Sequence, residues 1–274
     1  MIGTEQTTED DVYTSPLKWA GSKKALLPQL VFLYAAHQHR RLVEPFVGGM
    51  NVALGLQPER ALLCDINPHL INFYERLRDE YPFTLKMEND EALYYAYRKC
   101  FNELIKGPAR YTKTAGELFY YLNRTGFNGL CRFNRSGEFN VPFGKYTTIN
   151  YRRDFSQYED LLKRWELKCC RFDDVIADHI DAEDFVYLDP PYDGTFTDYS
   201  EGGFSWEDQV RLATSFAQHC GPVVASNAAT ERILALYRSL DFKVETLEVR
   251  RSIAANGDRV PAMEMLATKN LDGQ

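Results

Sequence analysis

Short apolar runs rich in β-favouring residues recur along the chain, and most of them end at an acid, a proline or a glycine. They predict strands at 41–47, 60–67, 167–172, 185–190, 222–227, 242–251 and 260–268. Apolar residues at helical spacing predict helices after Lys23, over 51–56, behind a capping box at Ser205 and over 228–240. Strands that alternate with helices in this way predict a doubly wound α/β sheet.

The stretch 68–154 breaks this alternation. It begins with helical patterns rich in tyrosine and phenylalanine and continues into a loop dense in glycine and asparagine. We interpret 68–154 as an inserted, mainly helical domain, and we expect 14–67 and 155–270 to build the sheet together. The first residues, 1–13, are acidic and polar and predict a disordered leader.

Composition narrows the class of protein. A chain of 274 residues with 45% hydrophobic residues is typical of a globular protein, and a net charge of −7 argues against indiscriminate nucleic-acid binding. The sequence shows neither a secretory signal nor a membrane-length apolar run, so we expect a cytoplasmic protein with no membrane partner. The six cysteines lack metal-ligand spacing, and we expect reduced thiols and no metal.

Three candidate sites follow predicted strands and should meet at the carboxyl edge of the sheet, where ligands bind in such folds. Pro190 and Pro191 end a strand directly after Asp189, because proline has no backbone N–H. A glycine turn at 44–50 and Asp65 after the next strand suit a ribose-containing cofactor. The G-x-G-x-x-G pattern is missing, so a nicotinamide cofactor is a weaker alternative. A second alternative is an ordinary tight turn that binds no cofactor.

Basic and aromatic residues are interleaved between Asn123 and Arg153. Glu138 is the single acid in this stretch, and the cations are Arg124, Arg132, Arg135, Lys145, Arg152 and Arg153. Basic side chains neutralise phosphates, arginine can bind guanine through two hydrogen bonds, and aromatic rings can insert between bases. The pattern indicates a nucleic-acid-binding surface, although a solvated loop over a few core aromatics would have a similar composition.

The order of several blocks carries a family resemblance. The chain contains PLKWAGSK, EPFVGG, CDIN, YLNRTGFNGLCRFNRSGEFNVPFGKY, DPPY and VRRSIAANG. In this order they resemble the Dam-type DNA adenine-N6 methyltransferases, and the likeness runs from Pro16 to Thr268. It implies a Rossmann-like catalytic sheet that binds S-adenosyl-L-methionine, with a target-recognition domain inserted at 68–154.

The resemblance also implies which residues hold the cofactor. The matching positions are Trp19, Lys23, Phe46, Gly48, Asp65 and Asp189, with Phe172 and Asp173 beside the cofactor adenine. The chain departs from the family pattern at Met50, where a glycine is usual, and at Ser22. A side chain at position 50 would crowd a cofactor that approaches the loop backbone, unless it points away.

Methyl transfer to adenine N6 sets its own requirements. The N6 lone pair is delocalised and lies inside the duplex, so the base must be flipped out. The flipped ring can stack on Tyr192 while the Asp189 carboxylate and the Pro190 carbonyl accept the two N6 hydrogens. For the DNA, the resemblance implies the target GATC and contacts from Lys18, Phe127, Asn128, Leu130, Arg132, Pro142 and Tyr146. Further candidate DNA-binding residues of the same stretch are Arg124, Asn134, Asn140 and Lys145.

These expectations describe a monomeric adenine-specific methyltransferase acting on double-stranded DNA, which is solitary, paired with a restriction nuclease or encoded by a phage. Two alternatives stay open. One is a catalytically idle DNA-binding regulator, against which the intact DPPY motif argues. The other is an N-methyltransferase for RNA or protein, whose related motif usually begins with asparagine; Asp189 and the block at 121–146 favour DNA.

Overall fold

The protein is seen in a computed structural model that describes residues 14–79, 83–193, 203–249 and 262–271. Its centre is a seven-stranded sheet with the order β3-β2-β1-β4-β5-β7-β6. The strands are β1 (Leu42–Glu44), β2 (Ala61–Asp65), β3 (Trp165–Cys169), β4 (Phe185–Leu188), β5 (Val223–Ala228), β6 (Lys243–Val249) and β7 (Ala262–Lys269). The pairings among β1 to β5 are parallel, and β7 runs antiparallel to both of its neighbours.

Helices cover both faces of this sheet. They are α1 (Leu27–Tyr34), α2 (Asn51–Leu56), α3 (Pro68–Asp79), α4 (Glu91–Ile105), α5 (Lys113–Thr125), α6 (Ser156–Leu162), the single turn α7 (Phe172–Asp174), α8 (Trp206–Ala217) and α9 (Glu231–Ser239). Buried side chains of α1 to α6 share one core with Leu42, and those of α7 to α9 share another with Val43. Leu42 and Val43 face opposite sides of the sheet, because successive residues of a strand alternate in direction. Helices therefore cover both sides, and the predicted doubly wound sheet is confirmed.

The sequence patterns located the strands to within a few residues. β3 begins at Trp165, earlier than predicted, and it ends at Cys169 because the chain turns into α7. The helix expected over 228–240 begins at Glu231, since Ala228 still belongs to β5 and Thr230 caps the helix. The capping box at Ser205 is present in both directions. The leader 1–13 and most of the VRRSIAANG block lie outside the described residues.

The segment predicted to be an insertion consists of helices and a long loop. Within it α3 packs against β3 of the sheet and also against α5, and α4 packs against α5. The loop that follows α5 folds back on itself through isolated bridges between Gly126 and Phe143 and between Phe133 and Phe139. The division into a catalytic and an inserted domain remains a prediction.

Met50 occupies the position just before α2, where the family usually has glycine. Its backbone is left-handed, with φ of 59°, and its side chain is 1% exposed in the core shared with Leu54. The side chain therefore points into the protein. It fills volume there, at the cost of a backbone conformation that favours glycine.

We expect Met50→Gly to lower the free energy of unfolding by about 1–4 kcal/mol, because the lost core contacts outweigh the relieved backbone. Urea denaturation measures this loss. Gln57→Gly is the matched control, since Gln57 is exposed and also left-handed, with φ of 48°, at the other end of α2. It should leave stability unchanged or raise it. A Met50→Gly protein as stable as the wild type would show that the side chain contributes little packing.

Candidate active site

Three sequence-predicted acids meet at one edge of the sheet. β1 pairs with both β2 and β4, so the chain segments that leave these three strands are neighbours. Glu44 ends β1 and precedes the glycine turn, Asp65 ends β2, and Asp189 directly follows β4. The prediction that the three motifs converge at the carboxyl edge is thus met by the topology.

Asp189 is held by two donors on the same oxygen. The Lys23 Nζ lies 2.8 Å from the Asp189 Oδ1, and the Ser226 hydroxyl donates to that same oxygen over 3.1 Å. Lys23 also donates to the Gly21 carbonyl over 2.7 Å and is only 6% exposed, whereas the Asp189 side chain is 21% exposed. Because both donors bind the same oxygen, they orient the carboxylate group. The positive charge of Lys23 lies next to Oδ1.

Electrostatics separate Asp189 from its neighbour Glu44. Burial raises the pKa of the Asp189 carboxyl, and Lys23 and Ser226 oppose that rise. Burial, followed by the nearby Asp189, raises the pKa of Glu44 well above its ordinary value. Glu44 is 2% exposed, and its Oε1 has no hydrogen-bond partner within the described parts of the chain. Burial and Asp189 thus favour the protonated form of Glu44, whereas Lys23 and Ser226 favour the charged form of Asp189.

The loop after Asp189 is fixed by buried amides. Gln209 of α8 donates to the Pro191 carbonyl over 2.8 Å, and Asn227 of β5 donates to the Gln209 side-chain oxygen over 3.0 Å. The Asn227 side-chain oxygen accepts from the Asp193 N–H over 3.1 Å. Pro190 is buried between these contacts and Asp189. The amide pair thus sets the direction in which the DPPY backbone leaves the strand.

Tyr192 lies against the ion pair. The Lys23 Nζ is 4.8 Å from the centre of the Tyr192 ring, and the Tyr192 hydroxyl donates to Glu264 over 2.9 Å. Burial, followed by the charge of Asp189, raises the pKa of Tyr192 above its ordinary value, so the hydroxyl keeps its proton. The structure brings Lys23, Asp189 and Tyr192 together, as the sequence predicted.

The glycine turn and Asp65 form the neighbouring part of the site. Asp65 accepts from the Gly48 N–H over 3.0 Å with one oxygen and from the Asn67 N–H over 2.9 Å with the other. Tyr74 donates to the Gly48 carbonyl over 2.8 Å. A Cβ on Gly48 would lie 2.8 Å from the Trp19 Nε1, so only glycine fits beneath this indole. Each carboxylate oxygen has two acceptor positions, and Asp65 can still accept from a ribose hydroxyl.

Three aromatic rings, one of them from Phe46 of the glycine turn, pack against each other. The ring centres of Phe46 and Phe172 are 5.9 Å apart, and Phe204 packs 5.7 Å from each. Asp173, predicted to lie beside the cofactor adenine, is engaged in a two-bond ion pair with Arg211. An aromatic trio next to an acid fits an adenosine moiety, and the residues present suit S-adenosylmethionine.

The sequence reasoning missed several residues that shape the site. They are Ser226, Asn227, Gln209, Glu264 and Phe204, all from the second half of the chain. Phe204 had a sequence signal, because it directly precedes the Ser205 capping box. The buried polar residues of β5 and β7 interrupt apolar strand runs, which is a weak signal for a polar site nearby.

Lys18 connects the catalytic segment with the loop after α5. The Asn123 side chain pairs with both the N–H and the carbonyl of Lys18 over 2.8 Å each. The Lys18 Nζ lies 3.6 Å from the centre of the Tyr146 ring and donates to the Arg124 carbonyl over 3.1 Å. Burial, and then the charge of Arg124, lowers the pKa of Lys18 to about 8. Lys18 is thus positioned beside the predicted DNA reader, next to Trp19 of the cofactor side.

The predicted DNA-inserting turn projects from this loop. Phe127 is 47% exposed, and Asn128 beside it is exposed with a left-handed backbone. The Phe127 N–H donates to the carbonyl of Pro142 over 2.9 Å, which places these two predicted contacts together. Leu130 is half-buried and packs against the core. The Phe127 ring is therefore exposed to solvent, while the backbone of the turn is held by a hydrogen bond.

The basic residues of the loop differ in their surroundings. Arg132 is exposed, and the Asn140 side-chain oxygen accepts from its Nε over 2.8 Å. Asn134 caps its own turn by accepting from the N–H groups of Ser136 and Glu138. Lys145 and Arg124 contrast in burial, since Lys145 is exposed whereas Arg124 is half-buried and donates to the carbonyl of Asn150. Their predicted DNA contacts remain predictions.

All six cysteines are free thiols. Among the described residues, the His, Cys, Asp and Glu side chains form no cluster that could hold a metal ion. In the same parts of the chain, none of the helices combines the length and apolar character needed to cross a membrane.

Comparison with known proteins identifies the family. The chain belongs to the D12 class N6 adenine-specific DNA methyltransferases, whose sequence pattern matches residues 19–253. The retron Ec67 DNA adenine methylase of Escherichia coli is 35% identical over 92% of this chain and 90% of its own length. The DNA adenine methylase of Vibrio cholerae is 35% identical over 94% and 97%. The type II methyltransferase M.CviBI of Paramecium bursaria Chlorella virus NC1A is 34% identical over 81% and 85%.

The protein is thus an adenine-specific DNA methyltransferase, and the family prediction from the ordered motifs is confirmed. Membership fixes the class of reaction. The roles of individual residues rest on the geometry described above.

Ser226→Ala should lower kcat by about tenfold and move the acid limb of the pH profile to higher pH. The carboxylate of Asp189 is the predicted active form, so activity should be lost as pH falls through its raised pKa. Removing the Ser226 donor destabilises that carboxylate and raises its pKa further. Steady-state methylation rates between pH 5 and 9, at saturating substrates, measure both effects.

Tyr187→Phe is the control for this experiment. Its hydroxyl contacts the Ser226 hydroxyl over 2.9 Å, and its removal leaves the bond from Ser226 to Asp189 in place. The acid limb should stay where it is. An unshifted limb in Ser226→Ala would mean that this bond does not tune Asp189.

Proposed function

We propose that the protein transfers the methyl group of S-adenosylmethionine to adenine N6 within GATC sites of double-stranded DNA, and that the target base is flipped out of the duplex. The observation that carries this proposal is the Asp189 carboxylate. It lies at a strand end beside Tyr192, is ionised in preference to Glu44, and is fixed through a single oxygen by Lys23 and Ser226.

The cofactor is proposed to occupy the edge formed by β1, β2 and β4. Asp65 would accept from its ribose, the rings of Phe46 and Phe172 would flank its adenine, and Lys23 with the turn at Gly48 would hold its amino-acid end. When bound, it supplies an electrophilic methyl group on a sulfonium. Met50 does not obstruct this loop, because its side chain is buried on the other side.

The protein's part in the chemistry is to make N6 a better nucleophile. The Asp189 carboxylate and the Pro190 carbonyl would accept the two N6 hydrogens, which draws electron density toward the nitrogen and stabilises its developing positive charge. Burial strengthens these interactions because little solvent competes for the carboxylate. Tyr192 would stack on the flipped ring and hold it in line with the methyl group.

DNA recognition is proposed for the loop after α5 together with Lys18. The exposed Phe127 can enter the space left by the flipped base, and Arg132 can pair with a guanine edge. Asn140 already orients the Arg132 guanidinium, which reduces the entropy lost on binding. The GATC target is inferred from the resemblance of the 121–146 block to Dam-type enzymes, and the relatives named DNA adenine methylase support it.

The test follows the label from the methyl group of S-adenosylmethionine. The full-length protein is incubated with the labelled cofactor and either a GATC duplex, the same duplex with one base pair changed, tRNA or a protein extract. We expect the label in N6-methyladenine of the GATC duplex alone. Label in tRNA or protein would overturn the proposed substrate, and equal labelling of the altered duplexes would overturn the GATC target.

Arg132 and Lys145 should affect DNA recognition differently. Arg132→Ala should narrow the preference for GATC over sites altered at a guanine, because one guanine pair discriminates by about 1–3 kcal/mol. Lys145→Asn should weaken binding to all duplexes alike and reduce the slope of log K against log salt by about one. Asparagine replaces Lys145 because the backbone there is left-handed, with φ of 51°.

A matrix of single-base target variants against both mutants, each titrated with salt, separates these outcomes. Arg135→Ala is the matched control for Arg132, since Arg135 is another exposed arginine of the same loop. It should resemble Lys145→Asn. If Arg132→Ala weakened methylation of every variant equally, Arg132 would be a phosphate contact, and Lys18 would become the candidate guanine reader.

A further inference from the structure

A glutamate far away in sequence touches the DPPY tyrosine. Glu264 lies on β7, opposite Ala228 of β5, and is 8% exposed. Its Oε2 accepts from the Tyr192 hydroxyl over 2.9 Å. A carboxylate with so little solvent needs hydrogen-bond donors from the protein, and here the tyrosine of the active-site motif is such a donor.

The contact fixes the far end of the Tyr192 side chain. At the near end, Asn227 and Gln209 hold the backbone on either side of Tyr192. The Lys23 ammonium lies over the ring at 4.8 Å from its centre. With its hydroxyl bonded to Glu264, the side chain is held at both ends, and the ring cannot swing away about the Cα–Cβ bond without breaking that hydrogen bond.

We propose that Glu264 is a positioning residue for methyl transfer, which acts by holding the Tyr192 ring in the place where the flipped target adenine stacks on it. This inference rests on the proposed function, since it takes Tyr192 as the stacking surface. Glu264 does not touch the base itself. Its positioning effect should pass through the Tyr192 hydroxyl. Its charge also contributes to the raised pKa of Asp189, and Glu264→Gln removes that charge while keeping the hydrogen bond.

The sheet topology explains why β7 supplies this residue. β7 lies between β5 and β6 and pairs with β5 along Val223–Ala228, the strand that also carries Ser226 and Asn227. Ser226 bonds Asp189, Asn227 holds the loop, and Glu264 holds Tyr192. Two adjacent strands thus supply side chains that support the acceptor, the backbone and the ring.

The test is a double-mutant cycle on the full-length protein with a GATC duplex. Tyr192→Phe keeps the ring and removes the hydroxyl, and Glu264→Ala removes its partner. Each should lower kcat by about tenfold, with the dissociation constants for S-adenosylmethionine and DNA within about twofold of wild type. The double mutant should be no slower than either single mutant. Glu264→Gln, whose amide oxygen can accept the same bond, should recover most of the rate.

A second readout reports on the base. A duplex with 2-aminopurine in place of the target adenine is bound by each protein in the presence of the cofactor. We expect Tyr192→Phe and Glu264→Ala to change the 2-aminopurine emission in the same direction and by a similar amount. Glu248→Ala is the matched control, because Glu248 is an exposed glutamate on β6 opposite Met263. It should leave both readouts as in the wild type.

The outcomes separate this inference from the proposed function. Wild-type protein that does not methylate adenine would overturn the proposed function itself. Active wild type with additive losses in the double mutant would overturn the role of Glu264, as would full activity in Tyr192→Phe. If Glu264→Ala failed to fold, Tyr192→Phe alone would decide, because it breaks the same bond without altering β7.

Discussion

The arrangement depends on one buried ion pair, between Lys23 and Asp189. A carboxylate at a strand end would become protonated if burial acted alone, and it would be useless as an acceptor for N6 hydrogens. Lys23, held by the Gly21 carbonyl, keeps that carboxylate charged and occupies one of its oxygens. Burial and the charge of Asp189 raise the pKa of the adjoining Glu44, which favours its uncharged form. The charge of the site is thereby placed on one residue in one orientation.

The short segment that contains Lys18 and Trp19 contacts both the predicted cofactor site and the predicted DNA-binding loop. Trp19 packs on the glycine turn of the cofactor side, while its neighbour Lys18 is paired to Asn123 of α5 and faces Tyr146. A second link joins the side chain of Asn67, two residues after Asp65, to Cys131 in the recognition loop. DNA binding at the loop and cofactor binding at the sheet, as proposed above, would therefore act on adjoining residues.

Much of the sheet and the chemical core of the site could be predicted from sequence. Asp189 was predictable because prolines end its strand directly after it. Asp65 was predictable because it ends the strand that follows the glycine turn, and parallel strands bring these ends together. Glu264 and Ser226 were not, because the contact of Ser226 requires β5 to pair with β4 and that of Glu264 requires β7 to pair with β5. Sequence order does not reveal that arrangement. The sequence also left the direction of the Met50 side chain open, because a sequence pattern does not show which way a side chain points from a left-handed residue.

The central claim is that Asp189 acts in the chemical step and is not needed for binding. The most direct measurement is the single-turnover rate of methyl transfer by Asp189→Ala on a GATC duplex, with the enzyme saturated by cofactor and DNA and its folding confirmed by thermal denaturation. The account predicts a rate at least about a hundredfold below wild type, with DNA affinity within a few-fold. A rate within tenfold of wild type, in a folded protein that binds both substrates, would contradict it.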